Sequence, residues 1–196
     1  YTVFADSLYL PMGFELGNGG VYVTEGANLV FLKDTDGDGK ADLKKILLEG
    51  FGTEDVHQSL HDFTWGQDGA LYMNMGTFLH SQVETPYGPV RGAYGTIWRF
   101  EPRTMKLENY ISYPFSNPWG HVFMRNGTEL IDDVSSGNDY FAPPLSVAID
   151  YPYKHARMKN FTNTALRPKT CGMEIVSSRQ FPDSSQGNAL LNTFIG

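Results

Sequence analysis

The sequence predicts an all-β fold and, within that class, a β-propeller. Glycine and proline are frequent, with 21 and 11 residues, and aromatic residues make up 14% of the chain, which is typical of short strands joined by turns. No segment shows sustained helical periodicity. A turn followed by a strand recurs at residues 17–23, 66–73 and, more weakly, 125–131. Repeats of about 50 residues are the pattern of four-stranded blades arranged around an axis.

Further strands are predicted between these repeats, at residues 29–32, 45–48, 95–100 and 107–112. Another unit is predicted to begin at residues 171–176. We therefore expect one partial domain over residues 1–196, with about three to four blades and no second domain. The chain opens at Tyr1 without a methionine and ends within a strand pattern, so we expect a fragment of a longer protein. A β-sandwich is the alternative, but it does not explain the repeat.

The composition argues against several classes of function. The 196 residues carry a formal net charge of −7, the pI is near 5.1, and lysine and arginine form no cluster, so we expect no nucleic-acid partner. No run approaches the roughly 18 apolar residues of a membrane-spanning helix, so we expect no membrane span in this chain. The single cysteine, Cys171, cannot form an internal disulfide.

The most specific motif lies at residues 34–42. Aspartates at alternate positions let a tight loop direct several carboxylates at one hard cation such as Ca²⁺. The predicted ligands are the side chains of Asp34, Asp36, Asp38 and Asp42 and the carbonyl of Lys40. The twelfth position holds Lys45 instead of the glutamate of an EF-hand, and a strand precedes the loop, so we expect a calcium loop between two strands. The alternative is an acidic turn without an ion.

A second polar group precedes the 66–73 repeat. Two histidines, two aspartates and a glutamate occur within nine residues, a set that suits general-base catalysis or metal binding. His57 and His61 are the catalytic candidates. The alternative is that both histidines only form hydrogen bonds that hold the connection in place.

Two other connections are candidates for function. Residues 76–91 are predicted to form a long loop, and long ordered loops are typical of functional or partner-binding segments. Residues 113–121 contain two prolines with flanking aromatic residues, which predict a stiff loop with Asn117 and His121 as its polar tips. Such a loop positions a ligand or only contributes to packing.

These motifs together resemble a known family. The segments that carry the resemblance extend over essentially the whole chain, at residues 34–42, 50–55, 57–66, 76–91, 117–121, 176–179 and 186–188. They are similar to the membrane-bound dehydrogenases of planctomycete and verrucomicrobial bacteria and, more distantly, to the quinoprotein glucose and sorbosone dehydrogenases, which are six-bladed propellers. The resemblance implies oxidation of a sugar or polyol by pyrroloquinoline quinone, assisted by Ca²⁺. It also implies a periplasmic, cell-surface or secreted protein with a c-type cytochrome domain in the full-length chain.

The resemblance also implies roles for individual residues. His57 or His61 takes the place of the catalytic base, and the residues expected to bind the cofactor are Asn117, His121 and Asp55. Two positions depart from the family pattern: Gln58 stands eight residues before Gly66, where the base is expected, and Ser116 stands where an arginine precedes Asn-Pro. Two functions therefore stay open. One is a sugar or polyol dehydrogenase, and the other is a calcium-stabilised propeller that binds a carbohydrate or a protein without catalysis.

Overall fold

The computed structural model describes residues 1–143, 149–162 and 169–193, and this part of the chain is built of β-strands. The strands are β1 (Phe14–Gly17), β2 (Gly20–Glu25), β3 (Asn28–Lys33), β4 (Leu43–Glu49), β5 (His61–Trp65), β6 (Leu71–Met75), β7 (His80–Val83), β8 (Val90–Ala93), β9 (Thr96–Glu101), β10 (Lys106–Ser112), β11 (Pro118–Phe123), β12 (Glu129–Asp133), β13 (Asn138–Phe141), β14 (Lys159–Asn160), β15 (Thr170–Ile175) and β16 (Ala189–Thr193). Short 3₁₀ turns occur at Val56–Gln58 and Asp183–Ser185. The all-β prediction is confirmed.

Twelve of these strands form three four-stranded antiparallel sheets. Their orders are β1-β2-β3-β4, β5-β6-β9-β10 and β11-β12-β13-β14, while β15 pairs with β16 and β7 pairs with β8. The β7–β8 hairpin is thus an insertion between the second and third strands of the second sheet. Each sheet begins with a strand at one edge, and we call β1, β5, β11 and β15 the first strands.

The first sheet shows how the sequence sets its hairpins. Asn18 and Gly19, between β1 and β2, have φ values of 51° and 75°, which asparagine and glycine adopt at low cost, so two residues reverse the chain. In β3, Val30 and Leu32 are buried in a cluster with Phe4 and Leu8, whereas Leu29 is buried in the cluster shared with the second sheet. Both faces of this strand are therefore covered.

The apolar clusters connect the sheets in chain order. Leu29 and Leu48 of the first sheet pack with Trp98 and Phe100 of the second. A second cluster joins the second and third sheets and includes Ile97, Ile111, Ile131 and Tyr140. A third joins β11 and β12 to the β15–β16 sheet and includes Val122, Leu130 and Met173. Each sheet thus packs on the next one in sequence.

The first strands of successive sheets lie beside one another. β1 contacts β5, β5 contacts β11, and β11 contacts β15. Glycine permits this approach, because a Cβ on Gly17 would lie 2.3 Å from the Trp65 ring and a Cβ on Gly120 would lie 3.0 Å from the Met173 Cβ. The starts of β5 and β11 meet where His61 Nε2 bonds the Pro118 carbonyl oxygen at 2.6 Å. We call this end of the molecule the His61 end.

Two predicted loops are wrong in part. Residues 76–91 contain β7 and the start of β8, because Ser81 and Val83 alternate with exposed residues and are buried on one face. Residues 118–121 belong to β11, since a proline is tolerated at the first position of a strand. His121 is therefore inside a strand and is not the tip of a loop. Among the described residues, no helix is long and apolar enough to cross a membrane.

Candidate functional site

The loop between β3 and β4 brings three carboxylates together. Asp34, Asp36 and Asp38 offer oxygen atoms that all lie within 4.8 Å of one another. The main-chain N–H groups of Gly37 and Gly39 donate to Asp34 at 2.6 and 2.9 Å, and both glycines have φ near 85°. The bonds from Gly39 and Gly37 lower the pKa of Asp34, so this carboxylate is ionised at neutral pH.

Asp42, the fourth predicted carboxylate, is held separately. The hydroxyl and the main-chain N–H of Thr35 donate to its two oxygens at 2.6 and 3.0 Å. The bond from the Thr35 hydroxyl lowers the pKa of Asp42. The structure therefore brings three of the four predicted carboxylates into one cluster and uses the fourth to close the loop. The role of the Lys40 carbonyl stays a prediction.

The carboxylate cluster fits a hard divalent cation. Two oxygens that bind one Ca²⁺ at about 2.3–2.6 Å lie at most about 5 Å apart. The separation of up to 4.8 Å among the three side chains meets this limit. The loop lies at the end of the first sheet opposite the His61 end, because β3 leads away from the Gly13–His61 contact. A cation here would tie β3 to β4 without facing the histidines.

Asp55 and His57 form a hydrogen-bonded pair ahead of β5. Asp55 Oδ1 lies 2.6 Å from His57 Nδ1, and the two side chains are 30% and 63% exposed. The side-chain nitrogen of Gln58 lies 3.3 Å from His57 Nε2. Because the carboxylate favours a proton on Nδ1, the lone pair of the neutral imidazole lies on Nε2. His57 can therefore accept a proton from a ligand that displaces the Gln58 amide.

His61, the second catalytic candidate, is fully buried and its ring nitrogens are both engaged. Nδ1 lies 2.5 Å from the Ser59 carbonyl oxygen and Nε2 lies 2.6 Å from that of Pro118. The ring also stacks on Trp119, with the ring centroids 4.1 Å apart. Burial lowers the pKa of His61. His61 lies between β5 and β11, and a neutral ring, which has one N–H, donates to only one of these two carbonyl oxygens. A role as base would require the ring to leave this enclosed position.

The residues expected to bind a cofactor do not share one surface. The side chain of His121 is fully buried, where its Nε2 lies 3.0 Å from Glu129 and its ring packs on Tyr72 and Phe123. Asn117 lies just before β11, its N–H donates to Asp133 at 2.6 Å, and its side-chain oxygen is buried without a partner among the described residues. The structure therefore brings Asp55 to His57 but places His121 in the interior.

Two residues that the sequence did not single out lie beside His61. Asp62 sits in an irregularity of the β5–β6 pairing with φ of 49°, and its Oδ2 accepts a bond from Asn74 Nδ2 at 2.6 Å. Burial raises the pKa of Asp62 to about 6, and Glu174 adds to the increase, against an opposing effect of His121. Asn74 is fully buried in β6. In the sequence, Asn74 is an isolated polar residue in the apolar run 71–75, and this pattern could have indicated a buried polar group.

A comparison with protein families shows which family the chain belongs to. A family model described as a domain of unknown function, DUF7133, matches residues 1–194. The chain belongs to this family. No curated protein matches this DUF7133 chain. Among solved structures, it is similar to a luciferin-regenerating enzyme at 7% identity, with 94% of this chain and 77% of that one covered and a TM-score of 0.36.

The residues of this DUF7133 chain that the resemblance assigns to the cofactor do not fit pyrroloquinoline quinone, which is a polyanion. Asp55 is itself acidic and paired with His57, and His121 is enclosed by aromatic side chains. Ser116 stands where the resemblance leads us to expect an arginine, and the unpartnered buried polar atoms of these residues are Asn117 Oδ1 and His121 Nδ1. These residues supply no cation for the anionic groups. The quinone stays a prediction, and none of the steps below depends on it.

Proposed function

We propose that the sheets are blades of a β-propeller whose axis runs along the first strands. Three successive four-stranded sheets pack face to face in chain order, and their first strands contact one another. This is the arrangement in which radial blades surround a channel. The loops at the His61 end then open toward that channel, where propellers gather their functional side chains.

We propose further that Ca²⁺ binds Asp34, Asp36 and Asp38. Carboxylates within 4.8 Å of one another are well placed to share a cation, and Ca²⁺ prefers oxygen donors. Removal of the ion would loosen the β3–β4 connection, which is the expected structural role of this site.

We propose that the domain oxidises a hydroxyl group of a sugar or polyol, with His57 as the general base. The observation that carries this is the Asp55–His57 pair, in which a carboxylate 2.6 Å from Nδ1 orients an exposed imidazole. As the substrate hydroxyl gives its proton to His57 Nε2, the hydrogen on the same carbon leaves with its electron pair as hydride. A carbonyl group forms, and a two-electron acceptor from solution is reduced.

Dye reduction tests this proposal. The full-length protein is incubated with Ca²⁺, a panel of sugars and polyols and a redox dye, with and without added pyrroloquinoline quinone. We expect substrate-dependent reduction, and we expect His57→Gln to lower kcat by about 10²–10⁴-fold. His80→Gln is the matched control, because His80 is also exposed and lies 3.4 Å from the carboxylate of Glu54. No reduction with any substrate, or an unchanged kcat in H57Q, contradicts the proposal.

A second candidate function is carbohydrate binding without catalysis. It is favoured by the partly buried Trp119, which stacks on His61 beside the polar groups of Asp62 and Asn74. Aromatic faces next to hydrogen-bonding groups suit the apolar and polar sides of a sugar ring. Calorimetric titration separates the two functions. Binding that Trp119→Ala abolishes and that yields no product supports the second. The exported location and the cytochrome partner stay proposals that rest on the resemblance.

A further inference from the structure

The β5–β6 pair at the His61 end contains buried oxygen atoms that no described residue satisfies. Asn74 is fully buried; its Nδ2 donates to Asp62, and its Oδ1 has no partner. Gln58 is 4% exposed, and its Oε1 also has no partner. Buried polar atoms are rarely left unpaired, because an atom without a partner has lost its hydration with nothing in return. The two amides are therefore evidence of a bound species.

The three side chains lie on one face of β6. Asn74 Oδ1 belongs to the same carboxamide whose nitrogen is 2.6 Å from Asp62, so this oxygen lies close to the carboxylate. Gln58 Oε1 lies only 1.5 Å from where a Cβ on Gly76 would be placed. Residues 74 and 76 are two positions apart, so a side chain at Gly76 would lie on the same face as Asn74. Gln58 fills the space at Gly76 and therefore lies on that face as well. Glycine at position 76 leaves the space that Gln58 occupies.

The chemistry of this set favours a hard cation. All the available donors are oxygens, one from a carboxylate and two from amides, which suit Ca²⁺ and Mn²⁺. The two ring nitrogens of His61 lie 2.5 and 2.6 Å from the carbonyl oxygens of Ser59 and Pro118, so neither nitrogen is available as a ligand. A cation would satisfy both amide oxygens and neutralise the Asp62 carboxylate bonded to Asn74.

We propose that Asp62, Asn74 and Gln58 bind a divalent cation at the His61 end, separate from the acidic loop at residues 34–42. This second site differs from the loop in that its two amide donors are buried and its donors come from two strands and the turn before them.

Cation stoichiometry measures this directly. The full-length protein is stripped with chelator and titrated with Ca²⁺ and, separately, with Mn²⁺. We expect two ions per wild-type chain, one for Asp62→Asn, one for the loop variant Asp36→Asn/Asp38→Asn, and none for the triple variant. Asparagine tolerates the left-handed φ of Asp62, so the substitution keeps the backbone. Asp68→Asn is the matched control, since this carboxylate is bonded to Arg99 and is expected to leave the count at two.

A crystal structure of the Mn²⁺-soaked protein gives a second readout that does not depend on affinity. We expect an anomalous peak within coordination distance of Asn74 Oδ1, and none there in D62N. A single ordered water at that position without anomalous signal overturns the proposal. Equal stoichiometry in wild type and a folded D62N overturns it as well. Neither the ion stoichiometry nor the anomalous peak depends on dye reduction, so failure of the dehydrogenase proposal would not change either result.

Discussion

At the scale of single residues, Asp62 and His61 show how adjacent positions acquire opposite roles. His61 faces inward, where its ring nitrogens lie 2.5 and 2.6 Å from two carbonyl oxygens, between two first strands. Asp62, turned by a left-handed φ, meets Asn74 and is desolvated without a cationic side chain bonded to it in the described structure. Its folded-state pKa of about 6 lies above the ordinary value of 3.8.

The raised pKa predicts a pH dependence of stability, measured in chelator so that no cation contributes. Between about pH 4 and 6 the unfolded chain releases the Asp62 proton before the folded chain does, so the free energy of unfolding falls as the pH rises. A shift from 3.8 to about 6 corresponds to a loss of about 3 kcal/mol at neutral pH. We expect Asp62→Asn to remove this loss in urea unfolding.

The quantity to compare is the difference in the free energy of unfolding between wild type and D62N, at pH 4 and at pH 7. A difference is needed because other carboxylates have lowered pKa values and make the free energy of unfolding rise with pH. Asp68→Asn serves as the control, since Arg99 and neighbouring donors hold the pKa of Asp68 low. Loss of this carboxylate is expected to lower the free energy of unfolding at pH 7, opposite to the effect of D62N. If D62N follows wild type at both pH values, Asp62 is not desolvated as described.

At the scale of elements, the loop at residues 34–42 shows which contacts a sequence motif predicts and which it does not. The spacing of Asp34, Asp36 and Asp38 predicts their convergence, because alternate side chains of a tight loop point inward. The capture of Asp42 by Thr35 depends on how the loop closes, which spacing does not determine. Likewise the apolar patterns predict β3, β9 and β10, whereas β7 and β8 are four-residue strands whose buried faces do not stand out in the sequence.

Calcium is expected to stabilise the chain through this loop. An ion that binds only the folded state raises the free energy of unfolding by about 2.7 kcal/mol at 100 times its dissociation constant. Thermal unfolding in Ca²⁺ and in chelator is the measurement. We expect Asp36→Asn to reduce the Ca²⁺-dependent increase in Tm and Asp183→Asn, at an exposed position of the 3₁₀ turn Asp183–Ser185, to leave it unchanged. An equal increase in all three proteins would argue against a calcium loop.

At the scale of the whole molecule, the contacts between first strands hold the sheets in sequence. These contacts could not be predicted from local patterns. Nothing in the sequence near Gly17 or Gly120 indicates that Trp65 and Met173 pack against these two glycines. The repeat predicts sheets of similar kind, but their packing order depends on apolar faces that meet only in three dimensions.

Gly120→Val tests this packing. The new Cβ would lie 2.9 Å from the Asp132 Cβ, 3.0 Å from the Met173 Cβ and 3.2 Å from the Met173 main-chain nitrogen, so β11 and β15 would have to separate. We expect a loss of about 1–3 kcal/mol in chemical unfolding, typical of overpacking. Lys45→Val, at an exposed position of β4, is the control and is expected to be close to neutral. A neutral G120V would show that β11 and β15 are not in close contact.

The claim that this domain oxidises a hydroxyl group is tested most directly by its product. The full-length protein is supplied with the substrate that supports dye reduction, unlabelled and with deuterium on the carbinol carbon, and the carbonyl product is quantified. The account predicts one carbonyl group per two electrons accepted by the dye, a slower rate with the deuterated substrate, and loss of both product and dye reduction in H57Q but not in H80Q. Dye reduction without a carbonyl product, or product formation that H57Q leaves unchanged, would contradict it.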